Sequence, residues 1–221
     1  MTGNVVENNL LRLKQEIAPY IPKIIAVTKY YDISAILDAF NAGLRDFGES
    51  RAIDAIKKIE QLPESIRRES QFHFIGHLQT NKVDKVVKYF DWIQSVDSLH
   101  LAKTISDSAV KLNKVQKILL QVNISGEVQK FGFEVNELEN CISELKTLEG
   151  LSINGLMCMA PLGASDNELN VIFSKARELK EALSDKYALD LRELSMGMSD
   201  DYKVAVRNGA TMIRIGRLLF N

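Results

Sequence analysis

The sequence predicts an α/β fold, a (β/α)8 TIM barrel with an additional N-terminal helix, in a single domain spanning residues 1–221. Three observations predict it. Eight short apolar runs, rich in β-branched and aromatic residues, alternate with longer segments of helical period. The runs begin every 20 to 38 residues, a spacing that suits βα units whose crossover helix forces parallel pairing. No GxGxxG or GxxxxGK[ST] turn follows the first run, as an open doubly wound sheet would favour. Eight parallel strands can close, and the chain length falls in the lower part of the roughly 200 to 400 residues usual for such barrels.

Taken in order, Val6, Leu10, Leu13 and Ile17 repeat by three and four and mark the opening helix. The strands are read at 24–29, 46–49, 72–77, 92–96, 117–124, 153–160, 191–198 and 212–220. Helical stripes lie between them. They run through Leu99, Ala102, Ile105, Ala109 and Leu112, then Leu138, Ile142, Leu145 and Leu148, and in the longest connector Leu169, Ile172, Phe173, Ala176, Leu179 and Leu183. Four prolines fall singly or at turns, so no linker divides the chain.

Composition narrows the function. Basic and acidic residues nearly cancel, 28 against 29, which leaves no overall electrostatic case for a nucleic-acid or anionic-membrane partner. No apolar run approaches the roughly 20 residues of a membrane span, and the first residues lack the order of a signal peptide, so a cytoplasmic protein is expected. Cys141 and Cys158 lie far apart and outside any CxxC, which argues against a disulfide framework or a cysteine-built zinc site. A monomer is expected because no added dimerisation element is visible.

In such a barrel the chemistry sits at the C-terminal ends of the strands. The residues there are Lys29, Glu49 with Ser50, His77, Asp97, Asn123, Met157, Ser199, and Arg214 with Gly216. Strand alternation puts Ile25, Val27 and Lys29 on one face, so Lys29 projects into the mouth if Ile25 and Val27 fill the interior. A lysine in a partly dry pocket becomes nucleophilic enough to form a Schiff base with an aldehyde; otherwise it is a strand-end lysine reaching into water.

Ser199 follows a small-residue turn and precedes two acids, as a helix cap does, yet loops after strands 7 and 8 of such barrels are also frequent phosphate sites. Gly216 permits close backbone approach or serves packing. Combined with a pocket lysine, a phosphorylated aldehyde is the economical ligand. Arg214 shares strand parity with Gly216. Its guanidinium could only donate to a pyridine nitrogen, leaving that nitrogen unprotonated and the ring a poor electron sink; alternatively Arg214 pairs with an acid such as Glu49. His73 and His77, on one strand face, would lie about 13 Å apart, too far for one metal ion. His73 is expected to be packed or hydrogen-bonded, and His77 to line the pocket rim. Lys82, Lys85 and Lys88 read as a solvated helix face.

These residues carry a resemblance. The stretches AVTK (26–29), FGE (47–49), FHFIGHLQTNK (72–82), SVDS (95–98), QVNI (121–124), GLM (155–157), LSMGMS (194–199) and RIG (214–216) resemble, in order and spacing, the pyridoxal 5'-phosphate (PLP) homeostasis protein family. The resemblance implies a barrel similar to the N-terminal domain of alanine racemase, with Lys29 as the Schiff-base lysine. It implies further that Ser199 and the backbone around Gly216 and Arg217 hold the phosphate and that Arg214 faces the pyridine nitrogen. Ser50 stands where the family usually has asparagine.

Two functions follow from it. One is a non-catalytic protein that holds PLP for intracellular vitamin B6 homeostasis and amino-acid balance, with PLP-dependent apoenzymes as recipients. The other is a racemase-like PLP enzyme. Racemisation needs an acid/base on each face of the substrate carbon. Lys29 serves one face, and the opposing group in related racemases comes from a second domain that this sequence is not expected to supply. The holding role is therefore the expectation.

Overall fold

A computed structural model describes residues 3–127 and 131–221. Eight parallel strands are present: β1 (Lys23–Val27), β2 (Asp46–Glu49), β3 (Gln71–Phe74), β4 (Trp92–Val96), β5 (Gln116–Gln121), β6 (Leu151–Met157), β7 (Glu193–Ser195) and β8 (Met212–Ile215). They close in sequence order, with β8 pairing back onto β1. Alternation divides each strand between two environments. Ile25 points inward and packs with Trp92, Leu119, Met157 and Met212, while Ile24 and Ala26 point outward to the helices. Near the strand N-termini, the ammonium groups of Lys23 and Lys117 lie 5.5 and 5.3 Å from the Trp92 ring centroid.

The expected opening helix is α1 (Gly3–Ile17), with Val6, Leu10, Leu13 and Ile17 all buried. The connectors carry α2 (Ile33–Asn41), α3 (Ala52–Gln61), α4 (Glu64–Glu69), α5 (Val83–Tyr89), α6 (Leu99–Lys111), α7 (Val135–Leu145), α8 (Asp166–Tyr187) and α9 (Tyr202–Arg207), and α10 (Arg217–Phe220) follows β8. Capping explains two boundaries. Ser98 accepts from Leu101 N to start α6, and Ser165 with Glu168 forms a reciprocal capping box on α8. Among the described residues no helix is long and apolar enough to cross a membrane, and no cluster of three His, Cys, Asp or Glu side chains is placed to hold a metal ion.

Most strands end earlier than the apolar runs. β1 stops at Val27, β3 at Phe74, β5 at Gln121, β6 at Met157 and β7 at Ser195, and residues 217–220 are helical rather than extended. Most runs continue as mouth loops in which residues such as Val122, Cys158, Ala160 and Met196 stay buried, so hydrophobicity persists after strand pairing has ended. At β7 the cause is local. Gly197 has φ +94°, a left-handed conformation that turns the chain out of the sheet, and a Cβ there would lie 2.6 Å from Ala205 Cβ.

The short helix α9 also starts later than its sequence suggests. Asp201 is its N-cap, and its carboxylate accepts from Met198 N at 2.5 Å. Ser199 therefore lies in the turn, not at the cap.

Candidate functional site

The end of β1 and the turn after β8 make one wall of the mouth. A Cβ on Gly216 would lie 3.3 Å from Val27 O, a tight contact that glycine avoids where the two backbones pass. Two residues beyond Val27, Lys29 is half-buried, its ammonium 5.0 Å from the Tyr30 ring centroid. It makes no hydrogen bond or ion pair among the described residues.

Thr28 turns the other way. Its buried hydroxyl donates to Glu49 Oε1 at 2.7 Å. Glu49 also takes the ammonium of Lys58 from α3, and Lys58 donates further to the carbonyls of Thr28 at 2.9 Å and Tyr31 at 3.1 Å. The expected alternative pairing of Arg214 with Glu49 is thus corrected. On β2 it is Gly48 that faces inward, against Ile25 and Val27, so Glu49 belongs to the helix layer.

Arg214 does look into the barrel, and it is 4% exposed. Its guanidinium donates to the Ser195 hydroxyl at 2.7 Å and to the Cys158 carbonyl at 3.0 Å, while its backbone N–H donates to Gly197 O at 2.9 Å. Burial works against its charge, and the nearby Cys158 and Asp201 work for it. A guanidinium nevertheless stays protonated at any working pH. The result is a buried cation held by neutral acceptors, with further N–H groups uncommitted among the described residues. Burial also pushes the Asp201 carboxyl up from its usual range, against the opposing effects of the Met198 N–H and of Arg214.

Ser199 is half-buried in the β7–α9 turn, and its hydroxyl has no hydrogen bond among the described residues. The side chain of Arg217 points outward to Asp200 at 2.8 Å, with both groups well exposed, so what Arg217 offers the mouth is backbone. The first amides of a helix have no partner within it, and α10 begins at Arg217.

The remaining candidates separate. His77 is at the rim, exposed, with Nδ1 3.2 Å from Asp97 Oδ2 and its ring stacked on Phe131 at a 4.0 Å centroid distance. Because β3 ends at Phe74, the strand-face relation between His73 and His77 does not hold. Met157 is buried in the inner apolar cluster and forms floor, with Met159 half-buried against it. Asn123 has both amide hydrogens engaged, donating to Glu127 O and Glu134 Oε1 at 3.0 Å each, and it holds the β5–α7 loop. Ser50 lies in the β2–α3 turn beside Gly76 and His77.

Sequence reasoning missed Ser195, Gln94 and Lys58. Gln94 carried a signal, being a polar residue inside an apolar strand run. Lys58 carried none, because only packing brings α3 over the end of β1. Together, a free amine, a buried guanidinium and an unpaired hydroxyl beside a helix start can accept an aldehyde and hold an anion.

Comparison with known proteins gives a consistent picture. The family described as alanine racemase, N-terminal domain, matches residues 4–221. The pyridoxal phosphate homeostasis protein of Synechocystis sp. is 42% identical over 198 residues, covering 90% of this chain and 90% of that protein. That of Aquifex aeolicus is 37% identical, covering 90% and 86%. PipY of Synechococcus elongatus PCC7942, solved with PLP bound, superposes with a TM-score of 0.89 at 38% identity, covering 98% of this chain and all of that one. Alanine racemase of Clostridium difficile 630 shares the fold, with a TM-score of 0.82 at 16% identity over 56% of its own chain.

Proposed function

Because the chain belongs to the pyridoxal phosphate homeostasis protein family, with the alanine racemase N-terminal-domain barrel, we propose that it holds PLP on Lys29 as a Schiff base, for intracellular vitamin B6 homeostasis and without robust catalysis of its own. The observation that carries this reading is the Lys29 amine, unpaired among the described residues at the barrel mouth beside the Gly216 turn. The surrounding groups fit such a ligand. Ser199 O–H and the amides at Gly216 and Arg217 would take the phosphate, Arg214 would donate to the pyridine nitrogen, and Met157 would lie beneath the ring.

When bound, PLP supplies an electrophilic aldehyde and an electron-withdrawing ring. Arg214 limits the second property. Its guanidinium has no proton to give up, so it keeps the ring nitrogen an acceptor and weakens carbanion stabilisation. This supports holding over turnover; the proposal takes PLP-dependent apoenzymes as recipients and a monomeric, cytoplasmic protein as the working form.

The test is direct. Purified protein given PLP should develop a bound-cofactor absorption band that borohydride fixes onto the peptide containing Lys29, and Lys29→Ala should abolish the band while leaving the fold intact. Label on another lysine, or none, overturns the assignment. Sustained turnover of an amino acid by the wild type, lost in Lys29→Ala, would establish the racemase-like enzyme instead.

A further inference from the structure

A single line of side chains crosses the centre of the barrel from the mouth to the opposite end. Arg214 Nη1 donates to Ser195 Oγ at 2.7 Å, and Ser195 donates to Gln94 Oε1 at 2.7 Å. Gln94 Nε2 then donates to His73 Nδ1 at 2.9 Å, and His73 Nε2 lies 2.9 Å from Asp46 Oδ1. Asp46 opens β2 and has Lys23 beside it at 3.6 Å. Ser195, Gln94 and His73 are each completely buried.

The line has one sense. Its first member has no acceptor and its last has no donor when ionised, so every group between must accept from one side and donate to the other. His73 satisfies this only as the neutral ring with its hydrogen on Nε2. Burial favours the same state, opposing the charge that Asp46 would encourage.

Protonating His73 would place N–H against N–H at Gln94. Gln94 would have to turn its amide over, and Ser195 would then face two donors, with its own hydrogen left without an acceptor. A change at His73 therefore reaches Arg214. Among the described residues the hydrogen bonds of the Arg214 guanidinium go to Ser195 and to the Cys158 carbonyl, and these set its orientation.

We propose that Gln94 and His73 are positioning residues, which through Ser195 fix the direction in which Arg214 presents its free N–H groups to the mouth. The cofactor arm of the test rests on the reading that this mouth holds PLP; the histidine arm does not. In the first arm, nitrogen resonances of labelled histidine are recorded on the protein without PLP from about pH 8 to about pH 5.5, a range spanning the ordinary histidine pKa. His73 is expected to give the neutral Nε2–H pattern in the wild type and the doubly protonated pattern in Gln94→Glu, whose carboxylate would accept from Nδ1–H. An Nδ1–H tautomer in the wild type, or no change in Gln94→Glu, overturns the line.

In the second arm, PLP binding and band position are measured on folded protein. His73→Gln can still accept from Gln94 and donate to Asp46, and it should bind within about twofold of wild type, whereas His73→Leu, which leaves the Gln94 amide without its acceptor, and Gln94→Leu, which leaves Ser195 without its acceptor, should weaken binding about fivefold or more and shift the band. Equal losses in His73→Gln and His73→Leu, or wild-type binding in all three, overturn the positioning role. If His73→Leu does not fold, Gln94→Leu and the histidine arm decide. A wild type that takes up no PLP removes the reading of the mouth and leaves the histidine arm to judge the line.

Discussion

The ammonium of Lys58 donates to the carbonyl of Thr28 at 2.9 Å, one residue before Lys29. With its second bond to Tyr31 O and its pairing with Glu49, Lys58 ties the strand-end turn that carries the candidate nucleophile to α3. The Lys58 and Glu49 side chains are 14% and 2% exposed, so either charge alone would be stranded.

Removing one partner should accordingly cost more than removing both. Lys58→Met is expected to lose about 3–5 kcal/mol of stability in urea unfolding. Lys58→Met combined with Glu49→Gln should recover most of that loss. Equal destabilisation of single and double variants would remove the pair from the account of how Lys29 is placed.

Acidification should expose His73. Its folded pKa is depressed, chiefly by burial, so near and below its ordinary pKa of about 6.5 the unfolded chain binds a proton that the folded chain resists. Stability then rises with pH in that window and falls as pH drops through about 6.5, by up to ~1.4 kcal/mol per pH unit until the folded pKa is reached. Asp201, with a raised pKa, acts with the opposite sign above its own unfolded value of about 3.9. Comparing urea midpoints of wild type and His73→Gln against pH isolates the histidine, and the variant should show the flatter profile.

Ser199→Ala should weaken PLP retention without unfolding the protein. Loss of a hydrogen bond to a charged group is worth ~1.5 to 3 kcal/mol, or roughly tenfold to a hundredfold in Kd. Equilibrium dialysis against PLP measures it, and an unchanged Kd would take Ser199 out of the site.

Gly197→Ala tests the turn. At φ +94°, and with Ala205 Cβ 2.6 Å from the added methyl, the variant combines backbone strain with a clash. A loss of ~1–3 kcal/mol from strain alone, and a Tm lower by roughly 2–4 °C per kcal/mol, are expected in thermal unfolding.

Much of this was legible beforehand. The number and order of the strands, the opening helix and the inward parity of Ile25 and Arg214 follow from periodicity, which is a local property of the chain. The strand ends were less legible, at β1, β3, β5, β6, β7 and β8 alike, because loop residues such as Val122, Cys158 and Met196 are buried just as strand residues are. The Ser199 cap was misplaced for a different reason, since the Asp201 side chain competes for the turn at Met198.

By itself the sequence determined that eight βα units close a barrel, that a lysine stands at the end of the first strand, and that an arginine on the last strand faces the interior. Only the tertiary structure decided what those groups meet. Arg214 finds Ser195 rather than Glu49, Lys58 rather than a mouth residue neutralises Glu49, and His73 joins a line running from β8 to β2. Alternation tells which way a side chain points, but closure and stagger of the barrel set the height at which inward groups from distant strands come within bonding distance.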